Sequence, residues 1–205
     1  MEFVPRLVFA LQRFQQVPLI AIKQWQGYGN TEQQLIALQF VGAFHPKAES
    51  DVGYPFAALY IDQIVGPSTL SSYNWVGQHI PLHATSNGKV LLAGLTRREV
   101  ADLVGELTAY TPSTLTSPSR LDEELATVRR QGYAVAADEL DVGLTAVAGP
   151  VHNAHGEVVA SVSVSGPTFR FGEARMHQVV PLVTAAADEV SAAMGWLGPD
   201  RADED

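Results

Sequence analysis

The chain has 205 residues, 46% of them apolar and 17% charged, with 13 basic against 22 acidic side chains, a net charge of −9 and no cysteine. That length holds one large domain or two small ones with a substantial core, and the ordinary apolar content excludes a disordered acidic polymer. Without cysteine there are no disulfides, thiolate zinc sites, iron–sulfur clusters or cysteine nucleophile.

No run of about 18 apolar residues exists to cross a membrane. The opening MEFVPRLVFALQRF lacks the charged start and small-residue cleavage site of a secretory signal, so a cytoplasmic protein is expected. The charge is unevenly spread. Residues 1–55 carry four basic and four acidic groups, so the whole −9 lies downstream, and eight of the glutamines also fall in that first stretch. A join is expected near HPKAESDVGYP, where Pro, Gly, Ser and Asp gather.

Three short helices are predicted before residue 45. Leu7, Val8, Leu11 and Phe14 recur at helical spacing; Leu19, Ile20 and Ile22 follow Pro18; Gly27-Tyr28-Gly29 makes a turn. Asn30 or Thr31 would cap a third helix over residues 30–43, with Leu35, Leu38 and Phe40 as its inner stripe. Helix, helix, glycine-containing turn, helix is the order of a helix-turn-helix module. A small helical cap on the larger domain fits the same pattern. In the first reading Asn30, Gln33 and Gln34, with Gln39, face the bases, because an amide side chain offers adenine both a donor and an acceptor. The third helix has no Lys or Arg, which leaves Arg6, Arg13, Lys23 and Lys47 to attract phosphate.

Downstream, AALYIDQIV (57–65) is a β-rich run stopped by Gly66-Pro67, and SSYNWVGQH (71–79) suits a second strand. PLHATSNGKVLLAGL opens a helix near Thr85 or Ser86, and Thr96-x-x-Glu99 is a capping box for the next helix, over 97–107. Ser119 would cap a further helix with Leu121, Leu125 and Val128 inside, stopped by Gly132. Residues 133–137 are strand-like. A hairpin of 144–151 and 157–165 turns at Asn153-Ala154-His155-Gly156. Its second arm alternates Val158, Ala160, Val162 and Val164 against Val159, Ser161, Ser163 and Ser165, so the serine row faces either solvent or a ligand cavity. A long helix starts near Glu173, and Pro181 should kink or divide it. These elements make an α+β domain, a sheet covered on one face by helices.

Chemical motifs are sparse. Ser86-Asn87-Gly88-Lys89 fits the S-x-x-K of serine–lysine acyl transferases without its S-D-N and K-T-G companions. The same residues fit an anion cradle at a helix start, or plain capping with Lys89 facing water. His152-x-x-His155 has no other metal ligands clustered with it, and neither a phosphate-binding nor a dinucleotide glycine motif is present. His83 suits a packing role. Asp138, Glu139 and Asp141 suit a solvated loop or, less simply, a carboxylate-pair hydrolase.

PLHATSNGKVLLAGL (81–95) and LTAYTPSTLTSPSRLDEELATVRRQGYAVAADELDVGLTAVAGPVHNAHGEVVASVSVSGP (107–167) resemble the effector-binding domain of IclR-type transcriptional regulators. The resemblance runs from about Ala57 to Trp196. It implies a GAF-like α+β effector domain, helices on a mixed or antiparallel sheet, behind a small helix-turn-helix segment. Carried over by motif, the family pocket falls on Ser72, Ile80, Ser86, Asn87, Ala136, Leu144, Ala146, Ser163 and Ser165, which moves the serine row into a pocket. The implied organisation is a shortened DNA-binding segment at 1–44, a linker at 45–55, the effector domain at 56–198 and an acidic tail at 199–205. The wing and the first effector-domain strand look missing between Phe44 and Phe56. The resemblance implies a small-molecule effector, often an organic or aromatic carboxylate, operator DNA and self-association as dimers or tetramers. It implies no cofactor, metal or catalytic residue. A stand-alone effector domain without DNA binding, and a hydrolase using Ser86 and Lys89, are the alternatives.

Overall fold

The computed structural model describes residues 37–46, 56–65 and 76–198. Among these residues six strands form one sheet: β1 (Ala37–Pro46), β2 (Phe56–Val65), β3 (His79–Ile80), β4 (Ala134–Ala137), β5 (Leu144–His152) and β6 (Val158–Pro167). Their order across the sheet is β3-β2-β1-β6-β5-β4, and every neighbouring pair is antiparallel. Among the described residues four α-helices accompany them: α1 (Ser86–Ala93), α2 (Arg97–Val104), α3 (Pro118–Gln131) and α4 (Glu173–Ala193).

The largest departure from the sequence reading lies at residues 37–46, expected partly as the third helix and partly as linker. They form β1, in the middle of the sheet between β2 and β6, with Ala37 opposite Val65 on one side and Ser165 on the other. ALQFVGAFHP satisfies both periods, since Leu35 and Leu38 suit a helix while Leu38 and Phe40 suit a strand. Two flanking strands, one more than 110 residues away in sequence, decide it. The first strand of the domain is therefore present, and the expected boundary at 44/45 cuts through it. Residues 1–36, with Asn30, Gln33 and Gln34, lie outside the described residues, as does Ser72.

The sheet carries helices on both faces, where one face was expected. On one face Ala160, Val162 and Val164 of β6, with Val147 and Val151 of β5, pack against Val179, Val183, Ala187 and Val190 of α4. Each fully buried valine contributes on the order of 1.5–3 kcal/mol. Close approach needs Gly149, where an added Cβ would stand 3.1 Å from that of Ala187. On the other face α1 covers β5 and β6, and its Leu91 and Leu92 join Leu121 and Leu125 of α3, Val100 and Val104 of α2, and Ala58 and Ile80. Ser161 and Ser163 are consequently sealed between β6 and α1, each 0% exposed, and neither faces solvent.

Local signals mostly act where read. Thr96 and Glu99 close the capping box of α2, which ends at Val104, shorter than expected. Helix α3 starts earlier than Ser119: Ser117 is its N-cap and Pro118 its first residue, where a missing N–H costs nothing. Gly132 ends it at φ 79°, in the left-handed region. Helix α4 runs unbroken through Pro181, and of the expected strand 71–79 only His79, paired with Ile80 in β3, is in a strand among the described residues.

Candidate functional site

The LHAT segment turns the chain from β3 into α1. Thr85 caps the helix, accepting from the Gly88 N–H at 3.1 Å and donating to the Pro81 carbonyl at 2.9 Å. Gly88 is required by contact: a Cβ there would lie 2.2 Å from the Leu82 carbonyl oxygen. The helix start is thus pressed onto the LHAT backbone, which places Ser86 at the mouth of a cavity and Asn87 and Lys89 in the interior.

The cavity is lined by Tyr60 of β2, by Ala84, Thr85 and Ser86, by Ala136 and Leu140, and by Leu144, Ala146 and Ser165. Its walls are therefore apolar with a few hydroxyls, and among the described residues no cationic side chain lines it. Its volume is about 30 Å³, room for roughly two water molecules. Ser86 is 1% exposed, and its Oγ has no hydrogen-bond partner among the described residues. An orphaned buried hydroxyl is uncommon in folded proteins, and the N–H groups of a helix's first turn have no intrahelical acceptor. Together they form a donor set, biased toward negative charge by the helix dipole.

Beneath the cavity the Asn87 carboxamide joins three hydroxyls from two strands, β6 and β2. It accepts from Ser161 Oγ at 2.9 Å, donates to Ser163 Oγ at 2.8 Å, and shares a hydrogen bond with the Tyr60 phenol. Burial pushes the Tyr60 hydroxyl up to about 12, opposed by that bond.

Lys89 neither faces water nor activates a serine. It is 1% exposed, and its ammonium donates to Glu139 Oε1 at 2.7 Å, to the Val135 carbonyl at 3.0 Å and to Glu124 Oε1 at 3.1 Å. Three acceptors use its three protons, and Ser86 is not among them. The Ser–Lys hydrolase reading therefore fails on geometry. The acidic cluster divides likewise. Glu139 turns inward to Lys89, and burial outweighs that cation in raising its carboxyl above the usual range. Asp138, at φ 57°, accepts from the Gly143 N–H and the Thr168 hydroxyl, closing the 138–143 loop, while Asp141 is exposed. His83 is buried and bonded through Nε2 to the Thr108 carbonyl at 2.9 Å; burial, more than nearby Lys89, lowers its pKa despite that bond. No group of three His, Asp or Glu that could hold a metal occurs among the described residues.

Five of the nine pocket positions expected from the sequence meet at this cavity: Ser86, Ala136, Leu144, Ala146 and Ser165. Asn87 and Ser163 lie one layer below it, and Ile80 belongs to the core against α1. Tyr60, Ala84, Thr85 and Leu140 were missed. For Tyr60 a signal existed, since Ala58 and Tyr60 share the buried face of an alternating strand.

Residues 56–192 match the family described as the bacterial transcriptional regulator IclR, C-terminal. The Escherichia coli K12 regulator KdgR is 39% identical over 140 residues, 67% of this chain and 53% of that protein. The crystallised C-terminal domain of E. coli KdgR superposes with a TM-score of 0.69 at 30% identity, covering 88% of this chain and 99% of that one. The inducer-binding domain of the PobR transcription factor from Acinetobacter, a double mutant in complex with 3-hydroxybenzoic acid, gives 0.64 at 28% identity over 76% and 87%. The chain spans about half the length of the curated relatives it matches. It belongs to the IclR family of bacterial transcriptional regulators through that family's C-terminal domain.

Proposed function

We propose that this chain is a ligand-responsive transcriptional regulator, no enzyme, whose cavity at the start of α1 takes a small organic or aromatic carboxylic acid. The observation that carries this reading is Ser86 Oγ, buried without a partner among the described residues, at a helix N-terminus beside the cavity. A carboxylate oxygen supplies an acceptor for this hydroxyl, at a helix start whose Gly88 N–H is already taken by Thr85 but whose dipole still favours negative charge, and Ser165 lines the same cavity. The apolar alanines and leucines suit a carbon skeleton, and the PobR domain with its hydroxybenzoic acid supports the aromatic variant.

Because the cavity is small, an effector of six to ten heavy atoms enters only by displacing a wall. Leu140 sits on the 138–143 loop between β4 and β5, outside the sheet ladder, and is the wall that can move at least cost. Acting on DNA then requires that the acid bind one arrangement of the assembled protein more tightly than another. Operator contact is assigned to residues 1–36, including Asn30, Gln33 and Gln34, in a self-associated dimer or tetramer. A gel-shift titration on DNA from upstream of its own coding sequence, at several salt concentrations, tests this half. Sequence-preferring binding altered by an acid is expected. Acid binding with no DNA binding would reduce the protein to an effector domain.

A further inference from the structure

We propose that the effector enters the cavity under a lid, the loop tip Leu140–Val142, which swings outward while the base of its loop, Asp138 and Glu139, stays fixed. This rests on the cavity being the effector site. The strand residues that line the cavity are held by the ladders of β2, β4, β5 and β6, and those of the helix start by the contact of Gly88 with Leu82. Among the described residues Leu140 is the lining side chain that neither holds.

The base is anchored from two sides. Lys89 donates to Glu139 Oε1 at 2.7 Å, the Thr111 hydroxyl to the Asp138 carbonyl at 2.5 Å, and the Thr114 hydroxyl to the Glu139 carbonyl at 2.6 Å. Lys89 lies one helical turn beyond Ser86, and Glu139 immediately precedes Leu140, so their bond clasps the two sides of the cavity together. Glu139 is buried, and separating a buried ion pair strands both charges. The clasp therefore holds while the tip moves.

The tip is secured only at the surface. Asp141 and Val142 are exposed, Val142 by 73%, and Leu140 is half-buried. The Asp141 carbonyl accepts from the Leu144 N–H at 3.2 Å. Across the neck, Asp138 Oδ1 accepts from the Gly143 N–H at 2.6 Å and from the Thr168 hydroxyl at 2.7 Å. Water replaces such exposed bonds at little cost, which makes opening here a local event. Gly143 is the pivot: its carbonyl is pinned by the Thr168 N–H at 2.8 Å, while at φ 87° it has no side chain to collide as its N–H side turns.

The chain has no cysteine, so an introduced thiol reports alone. Ser86→Cys is isosteric and puts a thiol on the cavity wall at a position 1% exposed. Val142→Cys puts one on the tip, and Ala160→Cys one in the core on the α4 face. Each full chain is treated with iodoacetamide and its alkylation followed by mass spectrometry, with and without Asp138→Gly, which accepts the positive φ and deletes the neck bonds. Ser86→Cys should react more slowly than Val142→Cys, and Asp138→Gly should quicken Ser86→Cys roughly tenfold while leaving the other two thiols at their own rates. A Ser86→Cys rate unmoved by Asp138→Gly would place the mouth elsewhere and overturn the lid. Ala160→Cys quickened to the same degree would overturn it too, by showing general loosening. If Asp138→Gly fails to fold, Leu140→Ala takes its place, with the same expected and overturning results. No effector enters the measurement, so its failure leaves the acid-binding reading to its own titration.

Discussion

Replacing Lys89 by methionine keeps the side-chain length and removes the charge. The substitution deletes hydrogen bonds of 2.7, 3.0 and 3.1 Å to Glu139, Val135 and Glu124. Glu124 is partly exposed and can turn to water; Glu139 cannot, since its other oxygen is already buried and without a partner among the described residues. Removing one member of a buried pair costs about 3–5 kcal/mol, mostly for the stranded charge. Glu139 then ionises less readily still, because Lys89 supplied the two main influences that held its carboxyl down against burial. A carboxyl raised in the folded state contributes stability that is present below its unfolded value and lost as pH climbs through its folded value. The variant's stability should therefore decline with rising pH at up to roughly 1.4 kcal/mol per unit. Urea unfolding followed by circular dichroism at about pH 5.5, 7 and 8, with m-values compared, measures this. The loss relative to wild type should grow across that series, and Lys89→Met/Glu139→Gln should recover most of it. A loss below about 1 kcal/mol, or one independent of pH, would refute the reasoning.

Gly88→Ala drives a Cβ to between 2.2 and 2.6 Å from the Leu82 backbone, which no rotamer change relieves. The expected cost exceeds about 3 kcal/mol in urea unfolding, whereas Gly172→Ala, with nothing within 4 Å, should cost about 1 kcal/mol or less as a lost N-cap preference. His152 stacks on Trp196 at 4.3 Å and 24°, and its pKa is lowered by burial in spite of Asp188. Trp196 emission, isolated by difference against Trp196→Phe, should hold through neutral pH and fall only as acid protonates His152 below the usual imidazole range. A drop near pH 7 would show that burial does not govern this histidine.

Elements set by local chemistry could be read directly. The capping box Thr96/Glu99, the left-handed Gly132, the turn at Asn153 and Gly156 and the two-residue alternation of β6 all rest on neighbours within a few positions. Strand β1 could not, because ALQFVGAFHP fits two periods and its partners at residues 160–165 are remote in the chain. The same limit governs the site. The motif S-x-x-K places Ser86 and Lys89 one helical turn apart, but the glutamates that claim Lys89 stand 35 and 50 residues further on. Nor does the serine row say which of its members is sealed beneath Asn87 and which opens on the cavity; that depends on where α1 stops covering β6. Tyr60 went unread because the other walls of its cavity come from residues 84–86, 136–146 and 165, remote in the chain, although its alternation with Ala58 already marked the inward face.

The central claim is that a small acid occupies the space between Tyr60, Ser86, Ala146 and Ser165. Ala146→Phe fills that space from the sheet floor without touching the α4 side of the core. Titration calorimetry of both proteins with 3-hydroxybenzoate and pyruvate, after matching their thermal midpoints, is the direct measurement. Saturable binding by wild type and none by Ala146→Phe is the expected result; undiminished binding by Ala146→Phe would place the effector somewhere else.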